Sequence, residues 1–229
     1  MKLYIIGVGP GDPELLTLKA IKILEKVPVI FSPTGGKDNV ALSIIEKIIN
    51  LKNKKIISLF FPMKKTKNAD LDFYWKNLSN EILKNLQKFK EGAFITLGDP
   101  AFYSTFFYIF PYLKDLIEIE IIPGVTSISA AAGAIPIGLS IADEKIAILP
   151  ANYLKETKDY LNEFDTLILM KPHKNFEKII EIEKKLFNYQ CFYIKKATFP
   201  DQKVYKNLKK VPKDDLSYFS IVIMKRESF

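Results

Sequence analysis

One cysteine, one histidine, one arginine and one tryptophan occur in 229 residues, and each scarcity removes a class of function. The lone Cys191 excludes an internal disulfide and suits a reducing compartment. With only His173 beside it, too few soft ligands remain for a zinc cluster, so no resident metal is expected. Arg226 stands alone, which argues against a surface built for bidentate reading of phosphate or guanine. No uninterrupted apolar run reaches the ~20 residues of a membrane span. Met1-Lys2-Leu3 runs into a strand with no apolar leader, so a cytoplasmic chain without a membrane partner is expected. Repeats, low-complexity tracts and a Gly-Lys-Ser/Thr phosphate loop are also missing.

Lysine is what the chain has in excess. Lys and Arg number 34 against 26 acidic residues, a formal charge of +8. Lysines cluster at 52–55, 64–67 and 206–213. Such a balance fits a basic solvated surface equally with attraction of an acidic partner, either a polycarboxylate small molecule or a nucleic acid. Against nucleic acid stand the missing arginines and the lack of an aromatic-basic platform.

Apolar, β-rich runs at 3–8, 29–32, 55–60, 93–97 and 117–122 alternate with helical patterns at 14–26, 38–50 and 71–90. In the first helix Leu16, Ala20, Ile23 and Val27 share a face opposite Lys19, Lys22 and Lys26. This alternation predicts an α/β fold with a mainly parallel, doubly wound sheet. After residue 123 the character changes. A small-residue helix (126–134) precedes strands at 145–149, 166–170, 191–195, 202–208 and 218–225, with helices at 153–164 and 175–187. The last two strands lack an intervening helix and are expected to pair antiparallel. Two α/β domains follow, 1–123 with a mainly parallel sheet and 124–229 with a mixed one.

Two turns punctuate the first domain. Gly7-Val8-Gly9-Pro10-Gly11-Asp12-Pro13-Glu14 follows the first strand, and Gly98-Asp99-Pro100-Ala101-Phe102-Tyr103-Ser104-Thr105 follows the fourth. Each reads as strand, Gly-Asp-Pro turn, helix, with Asp capping and Pro preorganised at the first helical position. Turns at the carboxyl ends of parallel strands are where open α/β sheets bind ligands. The first resembles a dinucleotide fingerprint but fails it, because Asp12 stands where the third glycine belongs. A carboxylate there competes for the helix N-terminal donors and repels phosphate, so a neutral or cationic ligand is expected.

Four segments, in order, resemble the class III S-adenosylmethionine-dependent tetrapyrrole (corrin/porphyrin) methyltransferases. They are residues 7–17, the Gly98-Asp99-Pro100…Tyr103-Ser104 turn, Ile122-Pro123-Gly124-Val125-Thr126-Ser127 and Ala197-Thr198-Phe199-Pro200-Asp201-Gln202. Together they cover essentially the whole chain. The run from Gly98 to Thr105 and Phe60-Phe61-Pro62-Met63 resemble the branch that methylates C20 of precorrin-2. Asp201 departs from the commoner Glu of the last motif and keeps its charge.

The resemblance implies two α/β domains, S-adenosyl-L-methionine held in the cleft between them, a homodimer, and a place in cobalamin biosynthesis. It implies cofactor contacts from Pro10, Leu97, Gly98, Asp99, Phe102, Thr126, Ser127, Met170, Ala197 and Ile221. Gly9, Gly11, Asp12, Tyr103 and Ser104 fall on the substrate side. Asp12 and Asp99 are the candidates for positioning a ring nitrogen or removing a proton, with no covalent intermediate required. Each has a structural reading beside it: Gly7, Gly9, Gly11 and Pro13 as shapers of a turn, both aspartates as caps, Cys191 as a core residue. Open alternatives are another corrin position, ribosomal RNA or an elongation-factor residue as substrate, and a non-enzymatic anion-binding module whose Gly-Asp-Pro turns are only caps. Whether the substrate carries cobalt is not legible in any motif.

Overall fold

The computed structural model describes residues 1–35, 39–62, 69–151, 160 and 163–227. The chain divides into two compact units, Met1–Thr126 and Ser127–Phe229. The first contains β1 (Lys2–Gly7), α1 (Leu18–Lys26), β2 (Val29–Thr34), α2 (Val40–Ile45), β3 (Lys55–Phe60), α3 (Ala69–Phe89), β4 (Glu91–Thr96) and β5 (Glu118–Ile122). Its sheet has the order β3-β2-β4-β1-β5, and every ladder is parallel.

A parallel sheet buried on both faces needs strands that are apolar on both faces. On one face Leu3, Ile5, Phe31, Leu59 and Phe94 pack against Leu78, Ile82 and Leu86 of α3 and against Phe106, Ile109 and Leu113. On the other, Ile6, Val8, Ile30 and Ile95 meet Ala20 and Leu24 of α1 and Ile44 and Ile45 of α2. Burying each large side chain contributes about 2 kcal/mol. The winding leaves β1 toward β2 on one side and leaves β4 toward β5 on the other. Adjacent β1 and β4 therefore diverge at their carboxyl ends, which opens the ligand crevice of such sheets there.

Local structure departs from the sequence expectation at both Gly-Asp-Pro turns. After the first, Asp12 caps a single 3-10 turn (Pro13–Leu15), and α1 starts only at Leu18, with Thr17 Oγ1 accepting from Ala20 N. After the second no α-helix follows. Tyr103 sits at φ 55°, and two 3-10 turns, Thr105–Tyr108 and Phe110–Tyr112, replace it. A left-handed residue cannot continue a helix, and Pro111 removes a further donor. The helix expected at 38–50 shrinks to α2. Most of the helix expected at 153–164 lies outside the described residues, as do Asp38, Met63 and the lysine cluster at 64–67.

The second unit contains α4 (Ser127–Ala134), β6 (Ile146–Pro150), β7 (Thr166–Met170), α5 (Phe176–Glu183), β8 (Tyr189–Lys195), β9 (Lys203–Tyr205) and β10 (Ser220–Arg226). Its sheet is mixed, in the order β6-β7-β10-β8-β9. The direct pairing expected of the last two strands is not made. Instead β10 lies antiparallel to both β7 and β8, and β9 pairs only with β8. The reason is burial: Ser220 to Met224 are all buried and need neighbours on both sides, whereas β9 has only three residues, none buried. Cys191 is buried in β8, and burial pushes its thiol up to about 12, so it packs as an apolar residue. No helix among the described residues is long and apolar enough to cross a membrane. Among the same residues no group of three His, Cys, Asp or Glu is placed to hold a metal ion.

One charge is buried in this unit with full compensation. Asp215 accepts from Lys195 Nζ at 2.8 Å, from Lys203 Nζ at 2.9 Å and from the Tyr205 hydroxyl, while its carbonyl accepts from Tyr193 Oη at 2.8 Å. The bonds from Lys195, Tyr205 and Lys203 hold its carboxyl well below the ordinary range. A carboxyl depressed in the folded state stabilises above its unfolded pKa and loses that contribution as pH falls, here below about pH 4. Urea midpoints measured from pH 6 downward should therefore fall less steeply below pH 4 in Asp215→Asn than in the parent. Parallel curves would refute this account.

Candidate functional site

Three strand ends meet in the first unit, and they meet through backbone. Gly9 and Gly98 form an isolated antiparallel bridge, Gly98 N donating to Gly9 O at 2.7 Å and Gly9 N to Gly98 O at 3.2 Å. Both glycines are left-handed, at φ 78° and 72°. A side chain on Gly7 would place Cβ 2.6 Å from Gly98 O, 2.7 Å from Gly124 N and 2.8 Å from Pro100. On Gly124 it would meet Gly98 O at 2.4 Å and Gly7 O at 2.8 Å. The turns after β1, β4 and β5 are thus in contact with no side chain intervening.

Asp99 ties the arrangement together. One carboxylate oxygen accepts from Ala101 N at 2.7 Å, capping its own turn, and the other accepts from Gly124 N at 2.9 Å, at the end of β5. Asp12 makes the same local bond, from Glu14 N at 2.9 Å. Both aspartates therefore hold their loops first. The far end of the second loop is fixed by Ser104 Oγ, which accepts from Phe106 N at 3.3 Å and bonds Thr96 Oγ1 at 3.4 Å. Gly9, Pro10, Gly11 and Gly98 are buried, Leu97, Asp12, Ser104 and Thr126 are half-buried, and Phe102 and Tyr103 are exposed. The sequence motifs missed the part played by Gly7 and Gly124, because the contact exists only once β1, β4 and β5 lie side by side.

Charge sets what such a place can hold. Residues 7–17, 97–105 and 123–126 contain no Lys, Arg or His, but they contain Asp12, Glu14 and Asp99. In a chain of net charge +8 that is a local reversal. It disfavours a polyphosphate and favours a ligand that is neutral or cationic where it meets these loops. A sulfonium-bearing donor with no phosphate fits the residues present: left-handed glycines allow close backbone approach, and Leu97 and Phe102 offer apolar and aromatic surface.

In the second unit Ser127 starts α4, and Met170, Ala197 and Ile221 are buried in one cluster with Ile128 and Ala131. Ile221 and Met170 are register partners across β10 and β7. Beside them three residues other than glycine are left-handed: Lys171 at φ 57°, Lys196 at 48° and Thr198 at 70°. A β-branched residue there is a genuine outlier, costing about 1–2 kcal/mol. It is held by Gln202 Oε1, which accepts from Thr198 N at 2.7 Å, while Lys196 pairs with Asp201 at 2.6 Å. The Thr198-to-Gln202 motif is therefore a strained turn with its own braces. Nothing in the sequence announced the strain, because no glycine marks it.

Comparison with known proteins places these features in a setting. Residues 2–212 match the family model of the Tetrapyrrole (Corrin/Porphyrin) Methylases. A probable cobalt-precorrin-2 C(20)-methyltransferase of Methanocaldococcus jannaschii is 42% identical over 98% of this chain and 96% of that protein. The cobalt-precorrin-2 C(20)-methyltransferase of Salmonella typhimurium is 29% identical over 99% and 97%. Among solved structures, the cobalt precorrin-4 methyltransferase CbiF superposes with a TM-score of 0.77 at 25% identity, covering 98% of this chain and 94% of that one.

Substitution should separate tight backbone contact from ordinary glycine preference. Gly7→Ala and Gly124→Ala should each lower stability by about 2 kcal/mol or more in urea unfolding, since the obstructing atoms are backbone. Gly133→Ala, at an exposed position of α4 with nothing within 4 Å of its new Cβ, should gain about 0.5–1 kcal/mol. Equal effects at the three positions would show that the strand ends are not in contact.

Proposed function

Since the chain belongs to the tetrapyrrole (corrin/porphyrin) methylases, we propose that it transfers a methyl group from S-adenosyl-L-methionine to C20 of precorrin-2, with or without cobalt, on the route to cobalamin. The observation that carries this reading is the 42% identity, over nearly the full length of both chains, to a protein named for that reaction. The glycine-lined, cation-free strand ends support the cofactor.

The cofactor supplies an electrophilic methyl on a sulfonium. C20 of the tetrapyrrole forms the new carbon–carbon bond, the carbon–sulfur pair returns to sulfur, and neutral S-adenosylhomocysteine leaves with loss of one proton. No covalent enzyme intermediate is needed, so the chain's part is to orient and to exclude water. Pro10, Leu97, Gly98, Asp99, Phe102 and Thr126 are the proposed cofactor contacts of the first unit. Asp99 fixes that loop through Ala101 and Gly124, and Asp12 fixes the other through Glu14. Gly9, Gly11, Asp12, Tyr103 and Ser104 are the proposed substrate-side positions. The lysine-rich surface would draw a polycarboxylate substrate at long range. A homodimer working in the cytoplasm belongs to the same reading; the family resemblance supports the first and the lone cysteine the second.

Incubation with methyl-labelled S-adenosylmethionine and either precorrin-2 or cobalt-precorrin-2 should yield label at C20 by NMR. Label at C11 or C17, or in RNA alone, would overturn the assignment. Gly98→Leu, forced to adopt φ 72°, should lose at least tenfold in S-adenosylhomocysteine affinity by calorimetry while retaining its circular dichroism. Unchanged affinity would remove this loop from the cofactor site. Sedimentation should give twice the chain's mass.

A further inference from the structure

In the second unit β9 is shorter than the strand it pairs with, and the shortfall leaves a gap. Tyr193–Lys195 of β8 carry a ladder on both sides, whereas residues 189–192 carry one on the β10 side only. After Tyr205 the buried Leu208 turns the chain off into a 3-10 turn, which Asn207 caps by accepting from Lys209 N at 3.0 Å. Between the uncovered edge of β8, the end of α5 and residues 206–209 lies a cavity of about 500 Å³. That volume falls within the ~300–1,000 Å³ of small-molecule sites. The cavity belongs wholly to the second unit, and none of the residues lining it is part of the proposed methyl-donor site.

Three features of the lining call for different ligand groups. Alternate residues of an antiparallel strand aim N–H and C=O to opposite sides, so two of residues 189–192 aim theirs into the gap, where amides would pair with them. Glu183 closes α5, and its Oε2 is buried in the lining without a hydrogen-bond donor. The negative end of the helix dipole lies there too, so a cation is favoured. Lys206 and Lys209 are exposed at the rim, and among the described residues neither side chain makes an ion pair or hydrogen bond, so both can meet anions. The Cys191 thiol is part of the floor, pushed up to about 12 by burial and then by the Glu183 carboxylate, and is inert as a nucleophile. Amide, ammonium and carboxylate occur together in one class of molecule. We propose that this cavity binds a short, acidic, extended peptide with a free amino terminus, its backbone added to the edge of β8, its ammonium on Glu183 and its carboxylates on Lys206 and Lys209. Four strand residues span ~13 Å, which sets the ligand at about three to four residues. The lysine cluster at 206–213, which the methyl transfer leaves without a local task, thereby acquires one.

Calorimetry of the full chain with the tripeptide Ala-Glu-Glu should show one site per chain. Acetylating the peptide's amino terminus, replacing it by Ala-Gln-Gln, or methylating its amide nitrogens should each weaken binding about tenfold. On the protein side, Glu183→Gln should cost about tenfold against Ala-Glu-Glu and nothing against its acetylated form. Lys206→Gln combined with Lys209→Gln should cost about tenfold against Ala-Glu-Glu and nothing against Ala-Gln-Gln. Melting temperatures of these variants should match the parent's; should Glu183→Gln not fold, the acetylated peptide decides the same point. No binding of Ala-Glu-Glu at about 1 mM overturns the proposal, and so does equal binding of Ala-Lys-Lys or of any of the three altered peptides. A change of sedimenting mass in the double lysine variant would mark the gap as a contact between copies of the chain and overturn it as well. None of these outcomes depends on which carbon is methylated.

Discussion

Everything proposed for the first unit depends on one steric fact: three parallel strands end in backbone that touches backbone. Gly98 O occupies the space where a Cβ on Gly7 or on Gly124 would have to be. Parallel strands run about 4.8 Å apart, so the turns that leave them are normally separated by side chains. Removing the side chains lets the β4 turn settle over its neighbours. The Gly9–Gly98 bridge then extends pairing beyond the last regular ladder residues, Gly7 and Thr96. The result is a stiff floor made of peptide groups at the place where the winding of the sheet diverges.

That floor has electrostatic consequences. Peptide groups present dipoles of both signs and no net charge, and the side chains that do carry charge here are acidic. A phosphate would be repelled by carboxylates that already occupy the loop amides. In the proposed site a sulfonium would meet carbonyl oxygens, two aspartates and an aromatic ring. The surplus of lysine, which from composition alone suits RNA or a polycarboxylate equally, is excluded from these loops. The proposed reading thus gives attraction of an acidic substrate and grip on a cationic donor to different parts of the same chain.

Much of this was legible in the sequence, and the parts that were not share a cause. Strand positions read well because buried parallel strands are apolar without interruption: residues 55–60 and 166–170 coincide with β3 and β7. The family was legible because four motifs occurred in order. The pairing of β10 was not, since the choice between β9 and β7 with β8 as neighbours is made by burial across the whole sheet. Helix after the second Gly-Asp-Pro turn was expected on capping residues alone, and Tyr103 in a left-handed conformation ended it. Lys171, Lys196 and Thr198 gave no signal either, because the hydrogen bonds that sustain them come from Ser220, Phe219 and Gln202 acting as acceptors.

The two Gly-Asp-Pro turns show most sharply where sequence reasoning stops. Their local chemistry is the same: Asp12 and Asp99 each accept from the amide two residues on, at 2.9 and 2.7 Å. Any argument from capping preference must therefore give them equal standing. Asp99 has besides this the bond from Gly124 N to its second oxygen, made 25 residues away. It exists because β5 pairs with β1 on the side opposite β4, so that the end of β5 arrives beside both turns. Each hydrogen bond to a charged acceptor contributes roughly 1.5–3 kcal/mol. The fold thus makes Asp99 a brace joining strand ends. Of two identical phrases in the sequence, topology makes one the brace that ties three strand ends together.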